Sequence, residues 1–257
     1  MNKAPMQDKV ISKEHQQQLL ERIEAVAKRL AATYAHPAIA HLLLQDFYLG
    51  AAETPNHHTT DFDEWPIQVQ QVAQVLTEQG LNTRTLIHRV DPAYYSWPLH
   101  QRATVVSAYT PSHMCKSVIF ENTKWTRETH GSSSSSRSGQ SISPRYITVI
   151  VQYTSKLNTT KLNSYAATLL NPMRLSRKMF HLRVAPEETA MAMTGFGRNG
   201  ICPFGMLCGD LPTVITLAIH DIRPAVIVLG AGHVDWKLSV SVADLTDKLH
   251  AAVVDLE

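Results

Sequence analysis

A loop rich in glycine and apolar side chains, TGFGRNGICPFGM at residues 194–206, is the stretch of this sequence best suited to hold a ligand. It places four glycines and one proline in thirteen positions. Because glycine has no side chain, backbone N–H groups at such positions can approach a ligand closely. A tight turn without a ligand is the alternative interpretation of the same glycines. We take this loop as a candidate binding loop.

A second candidate is Lys116, at the entry of the apolar segment CKSVIFEN. An isolated ammonium group in that position is expected to be partly desolvated and available to a charged or electron-rich ligand. The alternative is a solvated lysine at the end of a strand. We predict that Lys116 and the glycine loop form one site.

Other arrangements that could carry chemistry are missing from the sequence. It has no GxSxG, HExxH or P-loop motif, and GFGRNG is followed by proline rather than by a helix. None of the thirteen histidines has the spacing of a metal ligand, so neither a metal nor a cofactor is predicted. We interpret Cys115 and Cys202 as small apolar core residues, and Tyr94, Tyr95 and Trp97 as packing residues, with base stacking as the alternative for these aromatics.

The charge is distributed unevenly along the 257 residues. Residues 104–184 contain eleven Lys/Arg against two Asp/Glu, whereas residues 185–257 contain four against nine. A basic block of this kind is typical of proteins that bind a polyanion, most often nucleic acid. A basic surface without a partner is the alternative. No run of about 18 apolar residues is present, and the three cysteines match no disulfide pattern, so we expect a cytoplasmic protein.

Two parts of the chain differ in composition. Residues 1–65 contain an amphipathic helix and a linker rich in Pro, Asn and Thr, and residues 66–257 form the main domain, with a Ser-rich insertion at about 129–143. The apolar face of the N-terminal helix could be covered by the main domain, by a second copy or by another protein, and we favour another protein.

Short strands and single helices alternate without a regular βαβ rhythm in the main domain. This pattern predicts an α+β fold with a mixed, partly open β-barrel flanked by helices. The segments that we predict to be strands are TRTLIHRV, CKSVIFEN, RYITVIVQY, AVIVLG, KLSVSV and VVDL.

Over residues 66–257 the sequence resembles the YbaK/prolyl-tRNA synthetase-associated domain family, which are trans-editing aminoacyl-tRNA deacylases. The segment DPAYYSWPLHQRATVV and the Ser-rich insertion look like the longer eukaryotic members. The segments that carry the resemblance are HMCKSVIFENT, MAMTGFGRNGICPFGM, LPTVIT, AVIVLGAG and KLSVSVADLTDKLHAAVVDL.

The resemblance implies hydrolysis of a wrong amino acid, such as Cys, Ala or Ser, from a tRNA, possibly a proline tRNA. It implies a functional lysine at Lys116 and a substrate-binding GxxxP loop, which aligns with Asn199, Gly200, Ile201, Cys202 and Pro203. Asn199 replaces the first glycine of that loop.

The resemblance also implies tRNA, and through the N-terminal helix a synthetase assembly, as partners. Our leading hypothesis is therefore a trans-editing deacylase. A catalytically inactive tRNA-binding or scaffold protein is the alternative.

Overall fold

The computed structural model describes residues 62–130, 143–172 and 174–257, together with two isolated helical positions, Gln18 and Arg22. Nearly all of the N-terminal extension and most of the Ser-rich insertion therefore lie outside the described residues. The predictions made for these two segments, and for the boundary near residue 65, stay predictions.

Eight strands and seven α-helices make up the described part of the chain. In chain order, the strands are β1 Leu86–Arg89, β2 Cys115–Asn122, β3 Tyr146–Gln152, β4 Leu182–Val184, β5 Thr213–Thr216, β6 Val226–Gly230, β7 Trp236–Ser241 and β8 Ala252–Val254. The helices are α1 Ile67–Glu78, α2 Leu99–Val105, α3 Arg127–His130, α4 Thr159–Leu169, α5 Glu187–Thr194, α6 Leu217–His220 and α7 Val242–Lys248.

The strands form two sheets. One has three antiparallel strands in the order β1-β7-β6, and the other has five strands in the order β4-β2-β3-β5-β8. The second sheet is mixed, because β5 pairs in parallel with β3 and β8 while β2 is antiparallel to its neighbours β3 and β4. The predicted mixed α+β architecture is confirmed. The described strands form no closed barrel, and an isolated bridge between Met114 and Val228 links the region before β2 to β6.

β3, the middle strand of the five-stranded sheet, is buried on both faces, which explains why its sequence is almost continuously apolar. Ile150 points into the core that the sheet shares with α1 and with the three-stranded sheet. Its neighbours Val149 and Val151 pack on the opposite face, against Leu162 and Ala166 of α4. β2 and β3 therefore provide a well-packed base for residues at the start of β2.

Candidate functional site

A cavity of about 540 Å³ opens beside the first half of β2. β4 pairs with β2 only at residues 120–122, so it does not cover the edge of β2 at residues 116–118. The cavity lies in this gap, between β2 and the loop that follows α5. Its walls are mainly apolar, and Glu187 is the one acidic side chain among the described residues that line it.

Lys116 lines this cavity, as do Asn199 and Ile201 of the glycine loop. The structure thus brings together the two segments that the sequence analysis combined. The Lys116 side chain is exposed, so our expectation that its ammonium group is partly desolvated was wrong. Its Nζ atom lies 5.7 Å from the centroid of the Tyr153 ring, within the range of a cation–π contact.

The binding loop begins where α5 ends. Gly195 has a φ of 78° and terminates the helix in the left-handed conformation, and its N–H donates to the carbonyl of Met191 at 2.7 Å. Asn199 also has a positive φ, of 63°. Its carbonyl oxygen accepts a hydrogen bond from the Tyr95 hydroxyl at 3.0 Å. The sequence analysis did not predict helix α5 or this contact.

Gly200 packs directly against the end of β6. Its carbonyl accepts a hydrogen bond from the N–H of Gly232 at 2.8 Å, and a side chain on Gly230 would meet the Ile201 carbonyl oxygen at 2.8 Å. The N–H of Gly200 donates to the Gly197 carbonyl at 3.0 Å, so this donor is used within the loop. Gly200, Cys202 and Pro203 are buried behind the cavity wall and do not line it.

The cysteines near the site are poor nucleophiles. Burial raises the pKa of Cys202 to about 12 and also raises the pKa of Cys115. Both thiols are therefore protonated at neutral pH, and their interpretation as apolar core residues is confirmed. Among the described residues, no group of three His, Cys, Asp or Glu side chains is arranged to hold a metal ion.

Lys116 belongs to a group of aromatic and basic residues, which we name the tyrosine–cation cluster. Its members contact one another through rings and cations: Tyr94, Tyr95, Arg102, Lys116, Tyr153 and Lys237. Tyr94 and Arg102 are buried. The sequence analysis interpreted Tyr94 and Tyr95 as packing residues, but it did not predict their contacts with Arg102 and Lys237.

Lys237 is the desolvated lysine of this region, and the sequence analysis missed it. It lies on β7 with 3% of its surface exposed, and its Nζ donates to the Val234 carbonyl at 2.6 Å. Burial lowers the pKa of Lys237 to about 7, and the charge of Arg102 lowers it further, while Asp235 opposes the shift. The only feature of the sequence that indicates a buried lysine here is its position in the strand segment KLSVSV. Its aromatic neighbours, Tyr94 and Tyr95, are distant in the sequence.

Comparison with known proteins supports the fold. No family model matches the sequence, and no curated protein matches it. The chain is similar to the crystal structure of a protein proposed to be a trans-editing enzyme for prolyl tRNA synthetase, with a TM-score of 0.56, 16% identity, and coverage of 76% of this chain and 99% of that one.

Two further solved structures have the same fold. A scaffold protein from work on computational epitope grafting aligns with a TM-score of 0.54, 16% identity, and coverage of 75% of this chain and 98% of that one. A hypothetical protein aligns with a TM-score of 0.52, 14% identity, and coverage of 72% and 98%. At such identities the likeness shows a shared fold. Separately, no described helix is long and apolar enough to span a bilayer.

Proposed function

We propose that this protein hydrolyses the ester bond between a wrongly attached small amino acid, such as alanine, serine or cysteine, and a tRNA. The observation that carries the proposal is the shared cavity, with Lys116 on its exposed rim and Asn199 and Ile201 on its wall. The fold that the chain shares with a proposed trans-editing enzyme also supports it.

An aminoacyl ester needs little activation, because its carbonyl carbon is already electrophilic. Water attacks that carbon, the bond to the ribose oxygen breaks, and the ribose oxygen takes a proton as the free amino acid leaves. The protein contributes by orienting the ester and by donating hydrogen bonds to the oxygen that gains negative charge.

Two groups suit these roles. The Lys116 ammonium group is exposed at the rim and can bind a phosphate or ribose oxygen of the terminal nucleotide. The Gly200 N–H is occupied within the loop, whereas the Ile201 N–H makes no hydrogen bond among the described residues. We therefore assign to Ile201, rather than to Gly200, the backbone donor for the ester carbonyl.

The same occupied Gly200 N–H favours a second candidate, a protein that binds tRNA without hydrolysing it. In that case the cavity would still hold the end of the tRNA, and Lys116 would contribute to affinity alone. The two candidates differ in one measurable quantity, the rate at which the ester bond is lost.

The test is to incubate the protein with a panel of mischarged tRNAs and to follow loss of the labelled amino acid. We expect hydrolysis by the wild type, and a loss of at least about 100-fold in the Lys116→Ala variant. The matched control is Lys248→Ala, which removes a half-buried lysine of α7 that does not line the cavity. Full activity of Lys116→Ala would remove this lysine from the mechanism, and an inactive wild type that still binds tRNA would favour the second candidate.

A further inference from the structure

Three tyrosine rings surround the guanidinium group of Arg102. Its central carbon lies 4.8 Å from the ring centroid of Tyr94, 4.6 Å from that of Tyr95 and 4.7 Å from that of Tyr153. Only 8% of the Arg102 surface is exposed, and its Nε and Nη2 atoms have no hydrogen-bond acceptor among the described residues. Contact with the three rings therefore provides much of the stabilisation that a buried cation requires.

Two of these rings also contact the candidate site. The Tyr95 hydroxyl donates to the carbonyl of Asn199 in the binding loop, and the Tyr153 ring lines the cavity next to the Lys116 ammonium group. Arg102 therefore contacts both Tyr95, which is bonded to the binding loop, and Tyr153, which lies next to Lys116.

We propose that Tyr95, Tyr153 and Arg102 are positioning residues, which hold the binding loop and Lys116 in a fixed relation to each other. Arg102 orders the two rings, Tyr95 fixes the peptide between Asn199 and Gly200, and Tyr153 supports the ammonium group. The structural part of this inference is independent of the activity, whereas its effect on hydrolysis rests on the proposed function.

The chemistry of Tyr95 suits this role. Burial raises the pKa of its hydroxyl, which therefore stays protonated across the physiological range and remains a hydrogen-bond donor. Next to the Asn199 carbonyl, the Gly200 N–H donates to the Gly197 carbonyl and the Gly200 carbonyl accepts from the Gly232 N–H. Removing the hydroxyl would release one end of the peptide that precedes Gly200.

Hydrogen exchange of the free protein tests the structural part. In Tyr95→Phe, backbone amides of residues 199–202 should exchange about three to ten times faster than in the wild type, as expected for the loss of one hydrogen bond. Tyr94→Phe is the matched control, because Tyr94 has the same ring contact with Arg102 but no bond to the loop. Its loop should exchange within about twofold of the wild-type rate.

Unchanged exchange in Tyr95→Phe, or an equal increase in Tyr94→Phe, would overturn the inference. Arg102→Met should also raise exchange of the loop, and urea denaturation of the same variant separates this local effect from global unfolding. If exchange of the loop in Arg102→Met equals that of the wild type, Arg102 has no positioning role.

Kinetics on a mischarged tRNA that the wild type hydrolyses test the functional part. In Tyr95→Phe, kcat should fall about tenfold while KM changes less than twofold, because the hydroxyl positions the loop without touching the substrate. A rise in KM at unchanged kcat would contradict a positioning role. If the wild type hydrolyses none of the tRNAs, the proposed function fails, and the exchange experiment still decides whether Tyr95 holds the loop.

Discussion

At the residue scale, Asn199 explains how the loop tolerates the loss of a glycine. Its φ of 63° lies in the left-handed region, which asparagine adopts more readily than other residues with a side chain. Asn199, which stands at the first glycine position of the GxxxP motif of the family that the sequence resembles, is therefore compatible with a glycine-like backbone. It does not by itself argue against a working loop.

Substitutions at Asn199 test this account. Asn199→Gly should leave the free energy of unfolding within about 0.5 kcal/mol, whereas Asn199→Ala should lower it by about 1 kcal/mol, because alanine pays the full cost of the left-handed conformation. Urea denaturation of the three proteins measures the difference. An alanine variant more stable than the glycine variant would show that the side chain of Asn199 matters more than its backbone.

Lys237 gives a second prediction at this scale. Its pKa is lowered from 10.5 to about 7 in the folded protein, so between these pH values the unfolded chain binds a proton that the folded protein has released. The free energy of unfolding should therefore rise with pH across that window, by at most about 1.4 kcal/mol per pH unit.

The measurement compares wild type with Lys237→Met by urea denaturation at several pH values above 7. Contributions from other titrating groups cancel in the difference between the two proteins. The stability of the wild type relative to the variant should increase with pH. A constant difference would mean that Lys237 stays charged when folded.

At the element scale, the contact between the binding loop and the end of β6 depends on glycine. A Cβ atom at Gly230 would meet the Ile201 carbonyl oxygen at 2.8 Å and the Gly200 carbonyl oxygen at 3.0 Å, and these are backbone atoms that cannot turn away. Gly197, in the same loop, has no atom within 4 Å of the corresponding position.

Gly230→Ala should therefore lower the free energy of unfolding by about 1–3 kcal/mol, the usual cost of overpacking, and should displace the loop from the cavity. Gly197→Ala should change it by less than about 0.5 kcal/mol. Thermal and urea denaturation of both variants measure the contrast. Equal effects at the two positions would show that the close approach of loop and strand does not limit stability.

Several elements could be predicted from local sequence because their signals are local. The bounds of β2 agree with the segment CKSVIFEN, and β3 and β6 lie within their predicted segments. β7 begins one residue before the predicted segment KLSVSV, and Asn158 caps α4 by accepting from two backbone N–H groups. Alternating or continuous apolar residues and an asparagine before a helix are enough for such predictions.

The site could be predicted only in part. The sequence paired Lys116 with the glycine loop, but the side chains that contact them belong to two other segments, one with Tyr95 and Arg102 and one with Tyr153. Burial of Arg102 and Lys237 depends on which sheet faces are covered. No residue pattern near either side chain predicts this burial, because charged residues are rarely buried.

At the scale of the whole molecule, positive charge gathers where the cavity opens. Lys116 and Arg198 line it, Lys156 lies between two lining residues, and Arg183 precedes the lining residue Val184. All four side chains are exposed. Just upstream of β4, Arg174, Arg177 and Lys178 are three more exposed basic residues.

This arrangement predicts that tRNA binding is dominated by phosphate contacts and discriminates weakly among tRNA sequences. If about four of these side chains meet phosphates, the logarithm of the association constant should fall with the logarithm of salt concentration at a slope of roughly −3 to −4. Charge reversal at Lys178 and Arg183 should make that slope shallower by about 2, whereas Lys248→Glu, on α7, should leave it unchanged. Binding titrations of one tRNA between low and moderate salt measure all three proteins. A flat response in the wild type would mean that this surface does not meet the RNA, and the proposal of a tRNA substrate would lose its electrostatic support.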